Sequence, residues 1–324
     1  MAVDGGLVTV FGGSGFVGRH TVQALARRGY RIRAAERRPD LAGHLQPMGS
    51  VGQIGAVQAN LRFPDSVARA VAGSDAVINT VGILAPSGKQ TFEAVHVDGA
   101  RAIAKAAREA GVKRLVHVSA IGADKNSKAI YARTKAAGEQ AVLEEFPTAI
   151  IVRPSIVFGP EDQFFNRFAS MARVSPFLPL IGGGTTKFQP VYVGDVATAL
   201  ANAAEGQGKP GTVYELGGPE VLTFRRLLEL TEEYSGRSRL RLRMPFWLAK
   251  LQATLMSPLP NSLRPITVDQ VRSLAYDNVV SDQAKLESRT LTGLGVEHLA
   301  SVASVVPGYL ERFKPKGQYA HYRT

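Results

Sequence analysis

The chain has 324 residues and a formal net charge of +12, with 45% hydrophobic residues, 20% charged residues and no cysteine. Those proportions are ordinary for a globular protein and exclude a collagenous or low-complexity chain, while the missing thiols exclude disulfides and cysteine-held metal. The charge favours an anionic partner such as nucleic acid, acidic lipid or an acidic protein face, or else reflects base composition, since arginine outnumbers lysine 27 to 12.

Strand and helix patterns alternate through the first half. Leu7–Phe11 reads as a strand, and its early start leaves no room for a signal peptide. A helix follows over Val17–Arg28, ended by Gly29, then a strand over Arg31–Ala35. The uncharged stretch Leu41–Leu61 is too interrupted by Gly, Pro, Gln and His to span a membrane. Ala56–Gln58 is a short third strand, Ser66–Val71 a helix and Ala76–Val81 an apolar fourth strand. Glu93–Ala110 reads as one long helix, Leu115–Ser119 as a fifth strand, Ile130–Phe146 as a helix and Ala149–Arg153 as a sixth strand halted by Pro154. Repeated β-α-β units imply α/β architecture with a doubly wound parallel sheet. Beyond Pro154 the rhythm loosens. Gln189–Val193 and Thr212–Leu216 look like strands returning to the sheet, and the chain after Gly217 is mainly helical. The expected division is a dinucleotide-binding domain of residues 1–156 completed by 188–216, with 157–187 and 217–324 forming a smaller lid and partner-binding region.

The glycine run Gly12-Gly13-Ser14-Gly15-Phe16-Val17-Gly18 lies between a strand and a helix. Gly12 permits the turn, Gly15 lets backbone approach a pyrophosphate, and Gly18 allows close helix–sheet packing, with Ser14, Phe16 and Val17 offering groups at the helix N-terminus. Strand, turn, helix and βαβ continuation make this a Rossmann-type dinucleotide site rather than an isolated turn. Glu36 ends the second strand, 18 residues past Gly18. An acid there suits the ribose hydroxyls of NAD(H). Arg37 and Arg38 follow, and guanidinium groups suit the 2′-phosphate of NADP(H). A solvated loop in which Glu36 pairs with an arginine is the plain alternative. Two bases against one acid favour NADP(H). Asn60-Leu61 ends the third strand where an adenine edge would lie, and Thr80-Val81-Gly82 can line the cofactor floor; either is otherwise a strand terminus.

Tyr131 and Lys135 stand four apart on a helix and face one way. A lysine ammonium lowers the pKa of a neighbouring phenol and can hold a nicotinamide ribose, and the phenol can pass a proton to a substrate oxygen. The spacing is weak alone and specific after the fifth strand of such a sheet.

The glycine run, "HVSAIGAD" and "YARTK" resemble the extended or atypical short-chain dehydrogenase/reductase superfamily. "RPSIVFGPEDQFFNRF" with "FQPVYVGDVA" resembles more narrowly the nucleotide-binding accessory subunit of respiratory complex I and its bacterial relatives. The resemblance covers nearly the whole chain, most firmly residues 7–200. It implies a tightly held NADP(H) and a structural rather than redox role. It also carries Pro154, Ile156 and Val157 over as backbone contacts to the carboxamide. Active members place Ser or Thr near the end of the fifth strand. Here Ala120 takes that place and Ser119 is the preceding, structural serine, doubtful as a catalytic group. His96 stands where a helix Asn often braces a relay water, and is either a proton relay or a satisfied structural residue. Asp195 starts a helix and reads best as an N-cap.

Arg237, Arg239, Arg241 and Arg243 alternate, which places four cations on one face of a strand. An amphipathic helix with Phe246, Trp247, Lys250 and Leu251 follows Pro245. The segment either meets an anionic membrane surface or packs as a lid helix with solvated arginines. The basic residues are dispersed and match no nucleic-acid-reading module, so nucleic acid is set aside. The expected protein is an NADP(H)-binding structural or regulatory partner of a complex I or quinone system, cytoplasmic or peripheral on the inner face of the cytoplasmic membrane. The alternatives are an active NAD(P)-dependent reductase or epimerase using Tyr131 and Lys135 on a sugar or quinone-type substrate, and an NADPH-sensing module.

Overall fold

A computed structural model describes residues 5–257 and 266–315. In chain order the elements are β1 Leu7–Phe11, α1 Phe16–Arg27, β2 Arg31–Glu36, β3 Ile54–Gln58, α2 Pro64–Val71, β4 Ala76–Asn79, α3 Gly99–Glu109, β5 Arg114–Val118, α4 Ile130–Glu145, β6 Ile150–Pro154, β7 Val157–Phe158, α5 Phe165–Val174 and β8 Phe177–Ile181. There follow β9 Lys187–Phe188, β10 Val191–Tyr192, α6 Val193–Glu205, β11 Val213–Leu216, β12 Leu222–Thr223, α7 Phe224–Ser235, β13 Leu240–Met244, α8 Phe246–Leu255, α9 Val268–Ser273, α10 Asp282–Leu286 and α11 Val302–Leu310.

Two compact units result. The first holds the chain through Pro154 together with Val193–Leu216 and Val280–Glu297. Its seven-stranded parallel sheet has the order β11-β6-β5-β4-β1-β2-β3. The order reverses at β1, and Gly12 to Gly18 follow this strand at its carboxyl end, where open α/β sheets bind ligands. Strands buried on both faces read as apolar runs. Phe11, Val77, Leu115 and Ile151 accordingly pack with Ile103 of α3 and Val142 of α4 in one core cluster. The outer edge of β11 is covered by the late segment: Glu215 N–H donates to the Arg289 carbonyl and Ser281 N–H to the Glu215 carboxylate.

The second unit comprises Ser155–Tyr192, Gly217–Val279 and the chain from His298. Phe165, Phe224, Leu227, Val306 and Leu310 fill its core. Thr223 caps α7 by accepting from Arg226 N–H, and Gly236 ends that helix in the left-handed conformation.

Three expectations are corrected. Gln189–Val193 does not return to the large sheet. Only Val191 and Tyr192 form a strand there, paired with Val157 and Phe158, because Pro190 lacks the amide that a sheet ladder needs. The helix expected over Glu93–Ala110 opens as a π-helical turn over Glu93–Asp98 before α3. There α4 packs against backbone, and a Cβ on Gly138 would lie 2.1 Å from the His96 carbonyl oxygen. Arg237, Arg239, Arg241 and Arg243 do not form a solvated cationic face. Arg237 Nε donates to the Phe313 carbonyl, Arg239 Nε to the Ala172 carbonyl, and Arg241 pairs with Glu229 and Glu232. Among the described residues no helix is long and apolar enough to cross a membrane.

Candidate dinucleotide site

The glycine loop is shaped by contacts that exclude side chains. Gly12 has φ +76°, and a Cβ on Gly18 would lie 2.0 Å from the Gly12 carbonyl oxygen. The loop thus delivers the N-terminus of α1 with no side-chain cap and no acid in its first turn. The first amides of a helix have no intrahelical acceptor and carry the positive end of its dipole, which suits a pyrophosphate. Arg19 lies over the loop, donating to the Ser14 and Gly15 carbonyls. Glu36, at the tip of β2, accepts from Ser14 N–H at 2.5 Å. Arg37 is exposed, and Arg38 meets Asp40 at 3.2 Å on the surface.

Thr80 donates to the Phe11 carbonyl at 2.7 Å, joining the end of β4 to the glycine loop. Val81 N–H donates to Asn79 Oδ1, which turns the Asn79 amide nitrogen to His117 Nδ1 at 3.0 Å. His117 therefore carries its proton on Nε2. That atom and Ser119 Oγ are buried without a partner among the described residues. Buried donors of this kind are usually satisfied by water or ligand, so a polar group arriving at this edge of the sheet fits the donor set. Asn60 and Leu61 follow the edge strand β3. Asn60 forms a turn, accepting from Arg62 N–H, while Leu61 packs into the core beside Gly99.

Lys135 comes together with Gly82, while the Tyr131 ring, four residues earlier on α4, lies against Phe92 and His96. Lys135 is buried, its ammonium donates to the Val118 carbonyl at 3.0 Å, and a Cβ on Gly82 would meet its Nζ at 3.3 Å. The expected lowering of the phenol is not found. Burial pushes Tyr131 up to about 12, and burial lowers Lys135 to about 8 against the pull of Glu139. Both ionised forms lose water, and one of the three ammonium donors meets a backbone carbonyl. His96 is a satisfied structural group rather than a relay. Ile83 N–H donates to its Nε2 at 3.1 Å, and its Nδ1 donates to Thr134 Oγ1 at 3.0 Å, which donates to the Tyr131 carbonyl. Burial, then the Lys135 ammonium, holds His96 down at about 3, and His117 likewise.

Pro154 closes β6 within the first unit, whereas Ile156 and Val157 belong to the second, where both pair with Val191. Asp195 is buried in the first turn of α6. Asn79, His117, Thr134 and Arg19 were not singled out from the sequence. The signal for the first two was present: an amide and an imidazole inside the apolar runs AVIN and LVHV.

With this geometry the comparisons are specific. The NAD dependent epimerase/dehydratase family matches residues 8–217. The chain belongs to that family. The mitochondrial NADH dehydrogenase [ubiquinone] 1 alpha subcomplex subunit 9 of Arabidopsis thaliana is 37% identical over 325 residues, covering 95% of this chain and 81% of the relative. A ceramide reductase of Caulobacter vibrioides is 36% identical over 201 residues, 62% of each protein. The triphenylmethane reductase of Citrobacter sp. complexed with NADP(H) shares the fold, with a TM-score of 0.71 at 20% identity, covering 93% of this chain and 99% of that one. The uncapped helix N-terminus behind the glycine loop fits the nicotinamide dinucleotide that the family's description names.

Proposed function

We propose that the protein holds NADP(H) as a structural cofactor and serves as an accessory partner of a complex I-type or quinone-reducing assembly on the inner face of the cytoplasmic membrane. One observation carries the structural role. Tyr131 and Lys135 are present, yet Ala120 stands where, by resemblance, the substrate-holding hydroxyl belongs. The subunit-type relatives, similar along nearly the whole chain, support the partner class.

Within this reading Gly12, Ser14, Gly15, Phe16, Val17 and Gly18 hold the pyrophosphate, Arg37 and Arg38 the 2′-phosphate, and Lys135 the nicotinamide ribose. Thr80, Val81 and Gly82 form the floor. Pro154, Ile156 and Val157 serve the carboxamide by resemblance alone. Glu36 is turned onto the Ser14 amide, which draws its charge away from a 2′-phosphate. When bound, the dinucleotide supplies hydride chemistry; the residues of this chain supply its binding and orientation.

The similarity to a ceramide reductase favours a second reading, an active reductase. Single-turnover oxidation of bound NADPH, followed by fluorescence against aldehydes, keto-sugars, ketolipids and quinones, separates the two. Substrate-dependent oxidation that disappears in Tyr131→Phe establishes the reductase. Occupancy without oxidation, with respiratory subunits copurifying, supports the accessory role.

A further inference from the structure

The second unit turns its small residues inward and its large apolar residues outward along one continuous segment. α8 buries Ala249 and Ala253 and lays the Phe246 ring against Gly182. Its opposite stripe presents Trp247, Leu251 and Leu255, of which Trp247 is 66% and Leu255 72% exposed. At 100° per residue these three positions lie within about 80° of one another, opposite the two alanines. The strand before it does the same. Leu240 and Leu242 of β13 face solvent, with Leu240 in register with exposed Phe177, while Arg241 turns inward to Glu229. An ordinary surface helix buries its large residues, and exposed apolar patches of this kind mark interaction sites.

Charge decides the partner. The described residues 237–257 contain five cations, Lys250 and four arginines, and no acid, and of these Arg243 and Lys250 are exposed. The outward stripe is a ridge rather than a groove, and a tryptophan stands at its start. We propose that this face docks on an anionic lipid bilayer, with Trp247, Leu251 and Leu255 entering the headgroup–acyl boundary and Arg243 and Lys250 meeting lipid phosphates. The contact is made by the apolar ridge. Three of the four alternating arginines are held by the protein itself.

This rests on the membrane placement proposed above and names its surface, while the bilayer contact itself requires neither a respiratory partner nor bound nucleotide. Trp247 is the only tryptophan of the chain, so its fluorescence reads the contact directly. The full chain is mixed with vesicles of phosphatidylcholine and phosphatidylglycerol, and with phosphatidylcholine alone. Expected are a blue shift of Trp247 emission, quenching by lipids brominated near the headgroup, and cosedimentation with the anionic vesicles. Raising salt should weaken binding without abolishing it. The exposed pair Leu251→Ser with Leu255→Ser should lower partitioning at least tenfold while circular dichroism and nucleotide content stay unchanged. No shift at low salt, equal binding to neutral vesicles, or full binding by the double variant overturns the proposal. So does concentration-dependent dimerisation that the double variant removes, which assigns the ridge to a second copy of the chain.

Discussion

Glu36 Oε1 and the Ser14 amide are 2.5 Å apart, so the acid at the tip of β2 is tied to the glycine loop instead of projecting freely beside Arg37. The purified protein should therefore carry NADPH or NADP. Arg37→Ser should weaken the 2′-phosphorylated form by about 1.5–3 kcal/mol, the scale of a charge-assisted contact, and leave NAD(H) affinity nearly unchanged. Chromatography of extracted nucleotide and calorimetry with both cofactors measure this. Mainly NAD in the extract would hand the preference to Glu36.

Lys135 and Tyr131 should separate by mutation. Lys135→Ala should lower nucleotide occupancy and melting temperature together, because a ligand bound only to the folded state stabilises it by mass action. Tyr131→Phe should cost about 1 kcal/mol or less, as expected for one hydroxyl. Thermal melts with and without added NADPH provide the comparison. Equal losses in both variants would contradict a holding role confined to the lysine.

The two buried histidines predict an acid-side loss of stability. Both fold with pKa values near 3, below the usual value of 6.5. The unfolded chain thus binds protons that the folded chain refuses as pH falls from 6.5 toward 3. Stability declines across that window, by about 1.4 kcal/mol per pH unit for each histidine. Lys135 acts at the other end. Its value is lowered to about 8, so its burial cost is fully present below pH 8 and is relieved as pH rises from 8 toward 10.5. Urea midpoints between pH 4 and 7 should be less pH-dependent in His117→Gln than in the wild type. Parallel curves would show that carboxylates alone govern the acid limb.

Gly18→Ala tests the cradle. The added Cβ would overlap the Gly12 carbonyl, so either the helix or the loop must move. A loss of about 1–3 kcal/mol in stability is expected from such overpacking, together with loss of nucleotide. Retained binding with unchanged melting would mean that α1 approaches the loop less closely.

Arg241→Ala should act on the second unit and not on lipid. The guanidinium bridges Glu229 and Glu232 of α7, so its removal should cost about 0.2–1 kcal/mol. Vesicle binding by the folded variant should remain within a factor of about two, the scale expected when a protein-held charge rather than a free one is removed. A collapse of vesicle binding would restore the arginine as a lipid contact.

The strand–turn–helix unit was readable because each glycine has a distinct local reason, and those reasons are set by neighbours close in sequence. Tyr131 and Lys135 were readable by helical spacing. What Lys135 does is not, because Val118 of β5 and Gly82 in the loop after β4 reach it from elsewhere in the chain. The π-helical turn is not legible in the sequence, since the close approach of Gly138 to the His96 carbonyl that accompanies it is tertiary. Alternation in Arg237–Arg243 was read as a cationic face, yet Glu229, Glu232 and two distant carbonyls reverse it. Periodicity reveals that a segment has two faces; which one turns inward depends on what waits there.

The chain passes between its two units after Pro154, Tyr192, Leu216, Val279 and Glu297. Leu291 and Leu294, both fully buried, and the backbone cover of β11 belong to the segment that follows the fourth passage. A nascent chain on the ribosome consequently cannot complete its nucleotide-holding unit until residue 297 has emerged. By then most of the second unit is already outside the exit tunnel. Closure of the β11 edge therefore follows synthesis of most of the second unit.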